Sequence, residues 1–112
     1  MRAKNEVTVD RMELKRAVAW TKRGKAAEKD KTFFVFEDGA FTVVAPMATT
    51  PIKSVGHWED AVALPALALK RLINRIDADK EVRLHYCDGW LIIGNNKISG
   101  STTPVNSVPY SS

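Results

Sequence analysis

The sequence predicts an α+β domain in which two helices pack on one face of antiparallel sheets. Three observations carry this reading. Apolar, β-prone runs flank two Asp-Gly pairs, Asp38-Gly39 and Asp88-Gly89, the strongest short-range hairpin signal. Two short segments have apolar residues at helical spacing, Leu14, Ala17, Val18 and Thr21 in one and Leu69, Leu72, Ile73 and Ile76 in the other. Strands come in runs after each helix, which favours antiparallel sheets over βαβ crossovers.

The elements follow in order. Glu6-Val7-Thr8-Val9 alternates as a short strand. Asp10 is an N-cap, and Glu13 three residues on completes a capping box. The first helix runs along its apolar stripe to Gly24, a natural stop, and the polar stretch 25–30 is loop. Thr32 to Glu37 and Ala40 to Ala45 form the first hairpin, and Thr50 to His57 is a third strand after Pro46. Ala61-Val62-Ala63-Leu64 opens a second series, with Pro65 in the first turn of the second helix. Glu81 to Cys87 and Trp90 to Gly94 form the second hairpin. Lys97 to Ser101 and Thr103 to Val108 supply one last strand or two short ones.

The order β-α-β-β-β thus occurs twice, and short motifs repeat with it. Thr49-Thr50-Pro51 recurs as Thr102-Thr103-Pro104, Asp38-Gly39 as Asp88-Gly89, and Leu14-Lys15-Arg16 as Leu69-Lys70-Arg71, at offsets of 53, 50 and 55. The drift in offset places about five extra residues between Trp20 and Lys31 in the first copy. Residues 1–112 read as one domain built from unit 6–57 and unit 60–109.

Composition excludes several classes. Hydrophobic residues at 45% and charged residues at 27% are ordinary globular values. The single Cys87 allows no intrachain disulfide and no cysteine metal cluster. The longest apolar run, Ala61 to Leu69, contains a proline and is far short of the ~20 residues of a membrane span. The expected location is the cytoplasm. His57 and His85 have no His or Cys partner at metal-ligand spacing, and His85 alternates out of phase with Leu84 and Tyr86, as a solvated strand residue does. Asp38 and Asp88 are explained by turn chemistry. No nucleophile motif or glycine-rich phosphate loop is present, so neither an enzymatic activity nor a cofactor is expected. Trp58 and Trp90 sit within core patterning and are expected to pack. Trp20 either packs under the 25–30 loop or sits in an oligomer contact.

Val-x-Val-Asp, Leu-Lys-Arg, an Asp-Gly hairpin, Gly-x-Trp, then Leu-Pro-Ala, Leu-Lys-Arg-Leu and a second Asp-Gly hairpin, in that order, resemble one domain of the DNA sliding clamps, the bacterial polymerase III β-clamp most of all. The resemblance spans residues 6–108. It implies a non-enzymatic scaffold in which six domains close a ring, sheets outside and helices lining the hole. Bacterial clamps carry three domains per chain and eukaryotic and archaeal ones two, so one domain per chain would require six copies. It also implies duplex DNA and a DNA polymerase or other clamp-binding protein as partners. A module that binds clamp partners, or a clamp, without encircling DNA is the alternative, and a small-molecule or enzymatic role is a distant third.

Charge placement is the independent test, because duplex DNA is gripped mainly through its phosphates. Segment 11–25 holds six basic residues against Glu13 alone, and segment 66–76 holds three and no acid. The net charge is +4, so the remainder of the chain is net acidic. Helical phase puts Arg16 and Arg23 opposite the apolar stripe with Lys15 and Lys22 beside them, and puts Lys70, Arg71 and Arg75 away from the second stripe. These seven residues are the expected DNA contacts, sequence-independent because no base-edge reader is evident.

Overall fold

The computed structural model describes residues 4–19, 30–76 and 80–108. Its elements are β1 (Asn5–Asp10), α1 (Arg11–Val18), β2 (Lys31–Glu37), β3 (Ala40–Ala45), β4 (Ala48–Ile52), β5 (Ser54–Trp58), β6 (Ala61–Pro65), α2 (Ala66–Arg75), β7 (Glu81–Cys87), β8 (Trp90–Ile93), β9 (Asn96–Ser99) and β10 (Ser101–Thr103), with a 3-10 turn at Val105–Ser107. They form two five-stranded sheets, β5-β1-β7-β8-β9 and β10-β6-β2-β3-β4, antiparallel throughout.

Both Asp-Gly pairs turn hairpins as expected. Asp38 and Gly39 have φ of 51° and 78°, and Asp88 and Gly89 have 52° and 83°. Two consecutive left-handed residues define the turn whose twist matches the flanking strands. The turns fix Glu37 opposite Ala40 and Cys87 opposite Trp90, so Phe34 and Phe41, and Leu84 and Leu91, all point inward.

The opening strands are exchanged. β1 pairs with β7, and β6 pairs with β2, so each sheet joins three strands of one half of the chain to two of the other, β1 with β5 in the first sheet and β6 with β10 in the second. Adding five to each strand number, and wrapping at ten, turns the first sheet's order into the second's. Helix entry follows the same rule. The Arg11 N–H donates to the Lys80 carbonyl at 2.8 Å, and the Ala66 N–H donates to the Asp30 carbonyl at 3.1 Å. Each bond ties a helix start to the chain just before the other half's hairpin.

Four sequence expectations need correction. The strand expected over Thr50 to His57 is two strands in different sheets, broken at Lys53, because the chain crosses there from one sheet to the other. Thr103 ends β10, and the rest of the expected last strand is a 3-10 turn, since Pro104 cannot donate to a ladder. Pro65 stands one position earlier than expected, closing β6 at the N-cap of α2. The Thr-Thr-Pro motifs are not equivalent, as Thr49 to Pro51 lie in β4 whereas Thr102 and Thr103 lie in β10. The Asp-Gly and Leu-Lys-Arg motifs do fall at corresponding turns and helices.

The core lies between the sheets and under both helices. Leu14, Ala17 and Val18 of α1 and Leu69, Leu72 and Ile73 of α2 join one buried cluster with inward residues of both sheets. Phe34, Phe41 and Trp58 form a ring cluster with centroids 5.2–5.9 Å apart, and the Trp58 indole N–H donates to the Phe34 carbonyl at 3.3 Å. Trp58 is therefore a packing residue, as expected. Asn5 was not anticipated. It is 2% exposed, its Oδ1 accepts from the Glu59 and Asp60 N–H groups, and its Nδ2 donates to Asp60. It fixes the joint between β5 and β6 against the start of β1. Gly56, at φ 130°, lets β5 approach β1 so closely that a Cβ would collide with the Glu6 carbonyl oxygen.

Candidate nucleic-acid interface

α1 begins where Asp10 leaves the β region, at φ −68° and ψ 130°, and its carboxylate accepts from the Glu13 N–H at 2.9 Å. α2 begins at Pro65 with no side-chain cap. Each helix buries a stripe, so the opposite side is left to solvent by 3.6-residue geometry. On α1 that side carries exposed Arg16 and half-buried Lys15. On α2 it carries exposed Arg71, Asn74 and Arg75 with half-buried Lys70. The helices contact each other, and each also touches strands of both sheets. Their basic sides therefore belong to one helical layer.

Five of the seven expected contacts, Lys15, Arg16, Lys70, Arg71 and Arg75, are thus on the helix pair. Lys22 and Arg23 lie outside the described residues, as do Thr21, Gly24 and Trp20. Among the described residues the salt bridges are Lys4–Asp60 at 3.4 Å and His57–Glu59 at 3.7 Å, both away from the helices. Arg16 and Arg71 have no carboxylate partner among those residues. Arg75 Nε donates to the Arg71 carbonyl at a long 3.4 Å, which orients its side chain along the helix. Such a layer can attract phosphates by charge. No group of three or more His, Cys, Asp or Glu among the described residues is placed to hold a metal ion, and no described helix is long and apolar enough to cross a membrane.

Three residues behave otherwise than expected, or carry a shifted acidity. Trp90 is 41% exposed and not packed in the core, and Lys97 Nζ stands 4.7 Å over its ring. The cause is register: Trp90 follows the tight turn on the outward phase, while Leu91 takes the inward one. Exposed Cys87 hydrogen-bonds the Asp88 side chain, and that carboxylate raises the thiol above its ordinary range. Tyr86 is raised as well, first by desolvation and then by the Asp60 charge.

Solved structures decide the comparison of folds. The DNA polymerase sliding clamp of Caulobacter crescentus superposes with a TM-score of 0.68 at 13% identity, over 96% of this chain and 33% of that one. The DNA polymerase III subunit beta of Pseudomonas aeruginosa gives 0.63 at 16% identity, over 96% and 32%. The beta subunit from the DNA polymerase of Streptococcus pyogenes gives 0.63 at 14%, over 96% and 32%.

This chain has a sliding-clamp fold.

It spans about a third of the length of the solved clamps it matches. No protein-family model matches the sequence, and no curated protein does. The clamp fold accounts for the pairing of a helical layer with two sheets of corresponding strand order. Charge and phase in the sequence point to the helical residues. No such signal marks Arg83, Asn95 and Asn96, which share a cavity with Arg75 at the end of α2, because β7 and the β8–β9 turn carry no local charge run.

Proposed function

We propose that the protein is a non-enzymatic, sliding-clamp-like DNA-binding scaffold that tethers replication or repair proteins to duplex DNA. The supporting observation is the combination of clamp fold and basic helical layer, with Lys15, Arg16, Lys70, Arg71 and Arg75 outward. Lys22 and Arg23 complete the contact set. Binding is sequence-independent and runs through phosphates, so its free energy comes from counterion release. In this reading the domain is a duplicated unit, 6–57 and 60–109; the correspondence of the two sheets' strand orders supports it. One domain offers few phosphates a grip, so its own affinity is expected near the non-specific range of about 10⁻⁴ to 10⁻⁶ M. Six copies closing a ring would lengthen residence on DNA by topology. The outer edges β4 and β9, which correspond under the strand renumbering, are the edges for head-to-tail pairing.

The test is a paired reversal, Arg16→Glu with Arg71→Glu, beside a control reversal of Lys53 and Lys97, which lie off the helices. Duplex affinity is titrated against salt. The helix pair is expected to lose binding and to flatten log K against log[salt] by about 0.9 for each lost phosphate contact. Equal losses in both variants would remove the helical layer as the interface. Light scattering over a range of concentrations tests the ring. A monomer that still binds duplex would replace the ring with the alternative, a single-domain module that meets clamp partners without encircling DNA.

A further inference from the structure

Beyond the helical layer, one cavity combines cationic, amide and apolar walls. A different groove of about 900 Å³ carries Asp10, Glu13 and Glu81 against Lys53 and disfavours a polyanion. The smaller cavity, about 360 Å³, lies at the C-terminal end of α2. Arg75 and Arg83 line it together with Asn95 and Asn96 of the β8–β9 turn. Its apolar lining is half-buried Ile76 with the buried core residues Val82 and Ile93, and Glu81 is its one acid among the described residues.

The local fold explains the space. β7 and β8 pair as far as His85 opposite Ile92, and continuing that register sets Arg83 opposite Gly94. Gly94, at φ 61°, opens the tight turn to β9 and brings no side chain to cover Arg83. Neither guanidinium has a carboxylate within salt-bridge distance among the described residues. Arg75 belongs at once to this cavity and to the outward row of α2. The cavity is therefore continuous with the proposed duplex surface.

Two cations over an apolar floor do not match a duplex, whose bases are stacked away from such a surface. They match an unpaired nucleotide, which presents a phosphate and a base together. We propose that this cavity takes an unpaired nucleotide of single-stranded DNA where the duplex on the helical layer ends. Arg75 and Arg83 hold the phosphate, the base lies against half-buried Ile76, and the Asn95 and Asn96 amides meet its polar edge. Glu81 disfavours a second phosphate beside the first. This rests on the proposed duplex contact for its geometry, though not for its chemistry.

The experiment measures fluorescence anisotropy with three probes: a blunt duplex, the same duplex with a three-nucleotide overhang, and a short oligo-dT strand. The overhang is expected to tighten binding by about tenfold in the parent protein, as one phosphate and one base contact would. Arg83→Ala, and separately Asn95→Ala with Asn96→Ala, should erase that gain while leaving blunt-duplex binding within about twofold, since neither set touches the helical layer. Thermal melting checks that each variant is folded, and the two independent variants guard against failure of one. No gain from the overhang, or a gain that survives both variants, overturns the proposal. Oligo-dT binding that depends on Arg83 without any blunt-duplex binding would uphold the cavity and refute the helical layer. Duplex binding with no overhang gain would do the reverse.

Discussion

The two sheets share a strand order but differ on both faces. Inside, the second sheet holds Phe34 and Phe41 against Trp58, whereas the first holds Leu84 and Leu91 at the corresponding places. Outside, the second sheet carries a small apolar cluster of Phe33, Val35, Val44 and Ala61, covered by Val108 after the 3-10 turn. At the same position the first sheet runs His57, Glu6 and His85 across three neighbouring strands, open to solvent in part. The same pairing scheme thus tolerates a sheet buried on two faces and a sheet buried on one. Antiparallel pairing permits this, because alternate residues answer to different surroundings. The lesson is that backbone order is set by hairpins and helix entries, while the face chemistry is free to diverge.

The sharpest way to break this comparison is to empty the inner core of each sheet in turn. Phe41→Ala is expected to cost about 3–5 kcal/mol, and Leu91→Ala somewhat less, about 2–5 kcal/mol, by urea denaturation. The phenylalanine should cost more because two ring contacts go with it, and equal costs would make the aromatic cluster no better than aliphatic packing. The outer faces come next. Val108→Asp should lose about 2 kcal/mol by placing a carboxylate on the covered face, whereas His85→Ala on the open face should stay within about 0.5 kcal/mol. Comparable losses would mean that the first sheet's outer face is covered too.

Helix starts give a smaller contrast. Asp10→Ala removes the only side-chain cap of the described helices and should cost about 1 kcal/mol, seen as a lower melting temperature. Pro65→Ala has no cap bond to lose and should shift melting less. The smallest effect is chemical. Hydrogen bonding to Asp88 raises the Cys87 thiol, so less thiolate is present at a given pH. Asp88→Asn keeps a residue suited to left-handed φ and should speed alkylation by iodoacetamide at pH 8 severalfold. An unchanged rate would mean that the carboxylate does not govern this thiol.

These contrasts also mark what was legible in the residues. Hairpins were readable because Asp-Gly has few conformational alternatives, and helix phase was readable because burial and charge separate cleanly on α1 and α2. Thr50 to His57 was misread as one strand because β-propensity is continuous across Lys53, while the change of sheet is a tertiary event. Exchange of β1 and β6 left no local trace either, since a strand's composition does not name its neighbour. The basic layer was found through Arg16 and Arg71 because helices gather charge at fixed spacing. Arg83 and Asn96 come together only through the β7–β8 register, at a distance along the chain that no motif bridges.

Strand exchange has a consequence in time. Partners in the β1–β7 ladder, from Asp10 with Glu81 to Glu6 with His85, are 71 to 79 residues apart. That ladder cannot form until most of the chain has left the ribosome. The early hairpin β2–β3 waits for β6, and α1 waits for Lys80 to receive its first N–H. Closing such long loops costs entropy before any contact returns it, so folding should be slow for a domain of this size and all-or-none. A ribosome stalled at residue 60 would hold a chain with a formed turn and no half-domain, and a refolding experiment on residues 1–60 alone should yield no cooperative transition.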